Sequence, residues 1–118
     1  MNRLSRNKRI IYLCNQIIEN DRVIYSEPKK YKVNYQPLST DGEIIVAGSE
    51  HNNRLVVYTS PEIAKDFHNN DRCYVYRNKP ENYDRTCTDA DFYVNGEPLT
   101  YLNESHFYLQ RMTGEDYD

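Results

Sequence analysis

Tyr31-Lys32-Val33-Asn34-Tyr35-Gln36 decides the fold class. Tyr31, Val33 and Tyr35 fall on one face, and Lys32, Asn34 and Gln36 on the other. Alternation with period two marks a strand with one buried face. Pro37 stops it, because proline cannot donate to a ladder. Upstream, Ile10-Ile11-Tyr12-Leu13-Cys14 is β-branched and aromatic, Asn20-Asp21 reads as a turn, and Val23-Ile24-Tyr25 returns, which predicts a hairpin. Downstream, Leu55-Val56-Val57-Tyr58-Thr59 is the next strand. Ser60-Pro61-Glu62 predicts a short helix, with Ser60 as N-cap and Pro61 at the first helical position. Ile63, Ala64 and Phe67 lie on one face of that helix, and Asn69-Asn70-Asp71 ends it.

Cys73-Tyr74-Val75-Tyr76 is a further strand, and residues 78–91 read as a polar loop. Phe92-Tyr93-Val94 and Leu99-Thr100-Tyr101-Leu102 flank Asn95-Gly96, a hairpin dipeptide, and His106-Phe107-Tyr108-Leu109 closes the series. About seven short strands and one short helix predict an all-β domain, barrel or sandwich. Val33, Val57, Val75 and Leu109 are the predicted core positions.

At 118 residues the chain is read as a single domain, with a basic extension over residues 1–8 and an acidic tail over 113–118. Only 38% of it is apolar and the mean hydropathy is −0.93, so the core is thin. Twelve tyrosines supply rings that can be buried with a polar tip. No apolar stretch reaches the ~20 residues of a membrane span. The basic start is followed only by Ile10 to Cys14, too short for a secretory signal, so synthesis in the cytoplasm is expected. Charge is uneven: residues 1–32 carry eight basic side chains against three acidic, and residues 33–118 carry seven against fifteen. Such asymmetry points to charged partners, or to a basic end meeting an acidic surface of another copy.

Catalytic motifs are absent. Cys14, Cys73 and Cys87 form no C-x-x-C pair and are expected to be reduced. Cys87 sits among Asp84, Asp89 and Asp91, which are expected to raise its pKa and disfavour a nucleophile. Those three carboxylates lack the glycine and distal glutamate of a calcium loop and read as solvated. His51, His68 and His106 are scattered over different elements. Four glycines make no phosphate-cradling loop, and no cofactor site is legible. A non-enzymatic role is expected.

Residues 39–53 form an excursion too long for a connector. Gly42 and Gly48 bracket the apolar run Ile44-Ile45-Val46-Ala47, which a lone copy would leave wet and neighbouring copies could bury. The segment is expected to project from the barrel, to be mobile in a monomer and to order in an assembly.

The order of these elements carries a resemblance. Lys32-Val33-Asn34-Tyr35-Gln36-Pro37-Leu38-Ser39, a long excursion, Arg54-Leu55-Val56-Val57-Tyr58-Thr59 leading through Ser60-Pro61, then Asp71-Arg72-Cys73-Tyr74-Val75-Tyr76 resembles the head completion, or stopper, proteins of phages with long non-contractile tails. The opening Arg9 to Cys14 and the return Tyr25-Ser26-Glu27-Pro28 resemble the same group. The resemblance spans roughly residues 9–112; the polar stretch 78–91 and the acidic tail depart from it.

It implies a small antiparallel β-barrel at the head–tail junction of the virion, in a ring of twelve or six copies. A portal or adaptor protein would sit above, a tail completion or tail terminator protein below, and double-stranded DNA in the channel. The channel-lining loop would be Asp41-Gly42-Glu43-Ile44-Ile45-Val46-Ala47-Gly48-Ser49-Glu50-His51, with Glu43 and Glu50 repelling phosphates. Arg3, Arg6, Lys8 and Arg9 would meet an acidic surface of a neighbour or adaptor. The alternative reading is a cytosolic OB-like or SH3-like module that binds nucleic acid or a protein.

Overall fold

The computed structural model describes residues 8–37, 54–81, 83 and 85–112. The strands are β1 (Arg9–Cys14), β2 (Gln16–Glu19), β3 (Arg22–Tyr25), β4 (Lys29–Pro37), β5 (Arg54–Thr59), β6 (Arg72–Tyr74), β7 (Phe92–Val94), β8 (Leu99–Tyr101) and β9 (Glu104–Arg111). One helical turn, α1 (Pro61–Ala64), lies between β5 and β6. It starts as its sequence requires, with Ser60 accepting from the Ile63 N–H and Pro61 opening the turn.

Six strands close antiparallel into a barrel in the order β4-β1-β6-β7-β9-β5, with β5 pairing back to β4. The expected small all-β barrel with one short helix is therefore what forms. Alternation decides which side chains enter it. Ile11, Leu13, Val33, Leu55, Val57, Phe107 and Leu109 point inward and are buried. Val33, Val57, Val75 and Leu109 all join this interior, as predicted.

Antiparallel closure gives the barrel two ends. At one, α1 and the turn after it form a plug. Phe67 inserts between Phe107 and Tyr31, with ring centroids 4.5 Å and 5.2 Å away. The Tyr31 hydroxyl donates to Asp66 at 2.8 Å and ties the plug to β4. The other end receives the start of β1, the end of β4, the start of β5 and the end of β9.

A second apolar cluster lies outside the wall. Tyr74, Cys14, Cys87, Ala90, Tyr25 and Met112 pack together over β1 and β6. The segment expected to be a solvated polar loop, 78–91, supplies Cys87 and Ala90 to that layer, with Tyr83 packed against it. Asp91 turns inward, 1% exposed, and accepts from the Val75 and Tyr76 N–H groups at 2.8 Å and 2.9 Å. The Tyr74 hydroxyl donates to Asp89 at 2.5 Å, and that of Tyr83 donates to the Tyr25 carbonyl.

Two hairpin expectations are corrected. Ile10–Cys14 does not pair with Val23–Tyr25; the arms are β2 and β3, while β1 sits between β4 and β6. Asn15 makes the break, because its side chain donates to the Asp66 carbonyl and to Asp71. The Asn20-Asp21 turn itself is as read, with φ of 52° and 63°. Across Asn95-Gly96, β7 and β8 do not pair with each other. Both lie along the same edge of β9, and β8 forms its hairpin with β9 through Leu102 and Asn103. The predicted long loop 39–53 and the tail 113–118 lie outside the described residues.

Candidate functional site

The open end of the barrel carries the features that the sequence singled out. Pro37 and Leu55 are register partners across β4 and β5. The residues between them therefore leave and re-enter the sheet at adjacent points, where a two-residue turn would suffice. Asp41, Gly42, Glu43, Ile44, Ile45, Val46, Ala47, Gly48, Ser49, Glu50 and His51 all belong to that insertion and lie outside the described residues, as do Arg3 and Arg6.

At the end of the barrel where Pro37 and Leu55 pair, aromatic rings line the mouth. Tyr35 ends the inward face of β4, Phe92 begins that of β7, and Tyr76 follows β6. The Tyr35 and Tyr76 rings meet edge-on with centroids 6.3 Å apart, and Tyr76 and Phe92 at 5.7 Å. Asp91 fixes this arc by holding the backbone of Val75 and Tyr76. A guanidinium lies over each end: Arg9 is 4.9 Å from the Tyr35 centroid and Arg111 is 5.6 Å from that of Phe92. Cation–π contact orients these charges while leaving their N–H groups for an anionic partner.

Of the four predicted contact residues, Arg9 thus stands at the mouth, and Lys8 directly precedes it, exposed. Sequence reasoning missed Tyr76, Phe92 and Arg111 as members of the same site. The available signal was the alternation of β9, which carries on from Phe107 and Leu109 to put Arg111 on the inward face.

The other candidates separate. Asp89 is engaged with Tyr74 and Asp91 with the backbone, so these two do not converge on each other, and Asp84 lies outside the described residues. Among the described residues no group of three histidine, cysteine or carboxylate side chains could hold a metal ion. His68 lies beside Asp71, and His106 packs between Tyr58 and Tyr108 on the outer wall.

All three cysteines are free thiols and buried. Cys87 departs from expectation, because its pKa is lowered. The Cys14 thiol beside it is the largest cause, and the nearby Tyr74 hydroxyl and the Arg72 charge act in the same direction. Burial and Asp89 push the other way, Asp89 in the expected sense, while Asp84 lies outside the described residues. Cys14 is raised by Cys87 beside it and then by burial, and Cys73, inside the barrel, is raised by burial.

Among the described residues no helix is long and apolar enough to cross a membrane. No protein-family model, curated protein or solved structure matches the chain.

Proposed function

We propose that this chain is a structural neck protein of a tailed phage, a head completion or stopper subunit whose ring joins head to tail and helps retain packaged DNA. One observation carries the reading. A closed barrel spends a long insertion at a single point of its mouth, between the register partners Pro37 and Leu55, and that mouth is lined by aromatic rings and rimmed by Arg9 and Arg111. An arc of packed aromatics held by Asp91 is a suitable base for an insertion that must bear on another molecule. Arginines there suit phosphates or an acidic neighbour.

In this reading the insertion lines the channel, portal or adaptor and tail completion subunits cap the ring, and no chemistry is catalysed. Deletion of Gly42 to Gly48 tests it. The barrel should fold unchanged, because β4 and β5 keep their register, while heads carrying the variant should lose nuclease-protected DNA. Full retention of DNA with the variant incorporated, or absence of the protein from purified particles, would overturn the reading.

The alternative, a nucleic-acid-binding module, draws on the outer wall, where Tyr58, His106 and Tyr108 lie side by side. Exposed faces of aromatic side chains are a platform on which the bases of single strands stack. A salt titration against single-stranded DNA separates the two, because direct phosphate binding weakens steeply with salt.

A further inference from the structure

The charged ends of the chain leave the barrel at one rim and from opposite sides. Residues 1–8 lead into β1 and residues 113–118 follow β9. Around the closed order β4-β1-β6-β7-β9-β5, two strands separate β1 from β9 in either direction. The ends are opposite in sign: Arg3, Arg6 and Lys8 on one, Glu115, Asp116 and Asp118 on the other.

The wall beside the basic end is built to match. The register of β1 and β4 sets Ile10 beside Lys32 and Tyr12 beside Lys30 on the outer face. Ile10, Lys30 and Lys32 are exposed, and the Lys79 ammonium lies 5.8 Å from the Tyr12 centroid. Among the described residues no carboxylate pairs with these three lysines. An aliphatic and an aromatic side chain framed by lysines suit an acidic peptide with an aromatic residue in it. The segment Glu115-Asp116-Tyr117-Asp118 has that composition.

We propose that the acidic segment 113–118 of one copy docks on the Ile10–Tyr12–Lys30–Lys32 face of a second copy, so that copies join head to tail. This deepens the ring proposed above and rests on it only for closure of the chain of copies. Reach argues for the second copy over the chain's own wall. Leu109 and Pro37 share the partner Leu55, so they lie at one level. Lys32 is five positions below Pro37, and Arg111 is two beyond Leu109. At ~3.3 Å per residue that separation is roughly 23 Å along the strands, before the sideways step across β5. Seven residues from Arg111 to Asp118 span at most about 25 Å. In its own chain, Asp118 would arrive only when the tail is fully extended, and Glu115 and Asp116 would fall short. A neighbour can lay its lysines alongside the whole segment. Patch and tail are different surfaces, so the contact is heterologous and repeats.

Sedimentation velocity on the full chain tests this at low and high salt. Two variants are needed: Lys30→Glu/Lys32→Glu and Glu115→Lys/Asp116→Lys/Asp118→Lys. The wild type should self-associate at low salt and dissociate at high salt. Each variant alone should associate about ten-fold more weakly or less, since like charges then meet. An equimolar mixture of the two should recover wild-type assemblies, because each tail then finds an opposite patch. Recovery also shows that both variants are folded. Assembly of both variants like the wild type would overturn the proposal and leave the ring reading standing. A mixture that stays monomeric would overturn it in favour of contact within one chain. A wild type that is monomeric at low salt would overturn it too, with the neck reading still judged by DNA retention.

Discussion

Tyr31 shows how one hydroxyl couples the plug to the wall. It donates to Asp66, and burial followed by that bond pushes its pKa up to about 12 from the ordinary 10.0. A group raised on folding holds its proton more tightly in the native state. Its contribution is fully present below pH 10 and is lost as the pH rises towards 12. Tyr31→Phe should therefore cost about 1 kcal/mol at neutral pH, the worth of one hydrogen bond. The gap between variant and wild type in urea denaturation should shrink between pH 10 and 12. A constant gap across that range would show that the hydroxyl does not titrate with folding.

Cys87 makes a second prediction at this scale. Thiolate is the reactive form, and Cys87 is the thiol whose pKa is lowered, by the Cys14 thiol first. Timed iodoacetamide labelling of the native protein, read by mass spectrometry, should modify Cys87 before Cys14 and Cys73. Labelling of Cys73 first would contradict the arrangement. The effect of Asp89 on Cys87 was legible in the sequence, but the Cys14 thiol, the Tyr74 hydroxyl and Arg72 reach it only through tertiary packing.

Among the elements, the 75–91 segment depends most on one side chain. Asp91 satisfies two backbone donors beside the mouth, one of them buried. Asp91→Ala leaves those N–H groups unpaired and should cost about 1–3 kcal/mol. Asp91→Asn keeps an acceptor oxygen and should cost less. Equal midpoints for the two variants in urea would mean that the carboxylate does not hold this turn.

The strands were legible element by element, from the alternation of Tyr31 to Gln36, the apolar run of β5 and the Ser60-Pro61 start. Their partners were less so. Ile10–Cys14 and Val23–Tyr25 look like hairpin arms because both are apolar, while the true first arm, Gln16–Glu19, alternates poorly and leaves Ile18 73% exposed. Asn95-Gly96 has hairpin composition, yet only Gly96 takes positive φ, at 96°, and the chain runs on along the edge of β9. Local composition sets a turn; which edge the next strand finds is decided by closure of the whole barrel. Of the candidate site, Arg9 was legible as part of a basic start. Its aromatic mouth was not, since Tyr35, Tyr76 and Phe92 come from three separate strand ends.

Over the whole molecule, stability should divide sharply between inside and outside. Phe107 is 1% exposed and stacks on Phe67, whereas Leu102 is 79% exposed at the β8–β9 turn. Phe107→Ala should cost about 3–5 kcal/mol, through lost burial and the cavity left behind. Leu102→Asn should stay within about 0.5 kcal/mol and keep the positive φ of 58° with less strain. Thermal melts of both variants check the contrast, and a large loss for Leu102→Asn would show that this turn is part of the fold's support.

β9 has a mechanical consequence. It is hydrogen-bonded to β5 along one edge and to β7 and β8 along the other. Ladder bonds in antiparallel pairs run perpendicular to the strands. A pull on the chain beyond Arg111 therefore acts along the strand and loads both ladders in shear, all bonds together, instead of peeling them one at a time. Traction on the C-terminal segment is thus shared between two ladders at once. The same force applied across the β2–β3 hairpin, a two-stranded ribbon outside the barrel sheet, would unzip its ladder bond by bond.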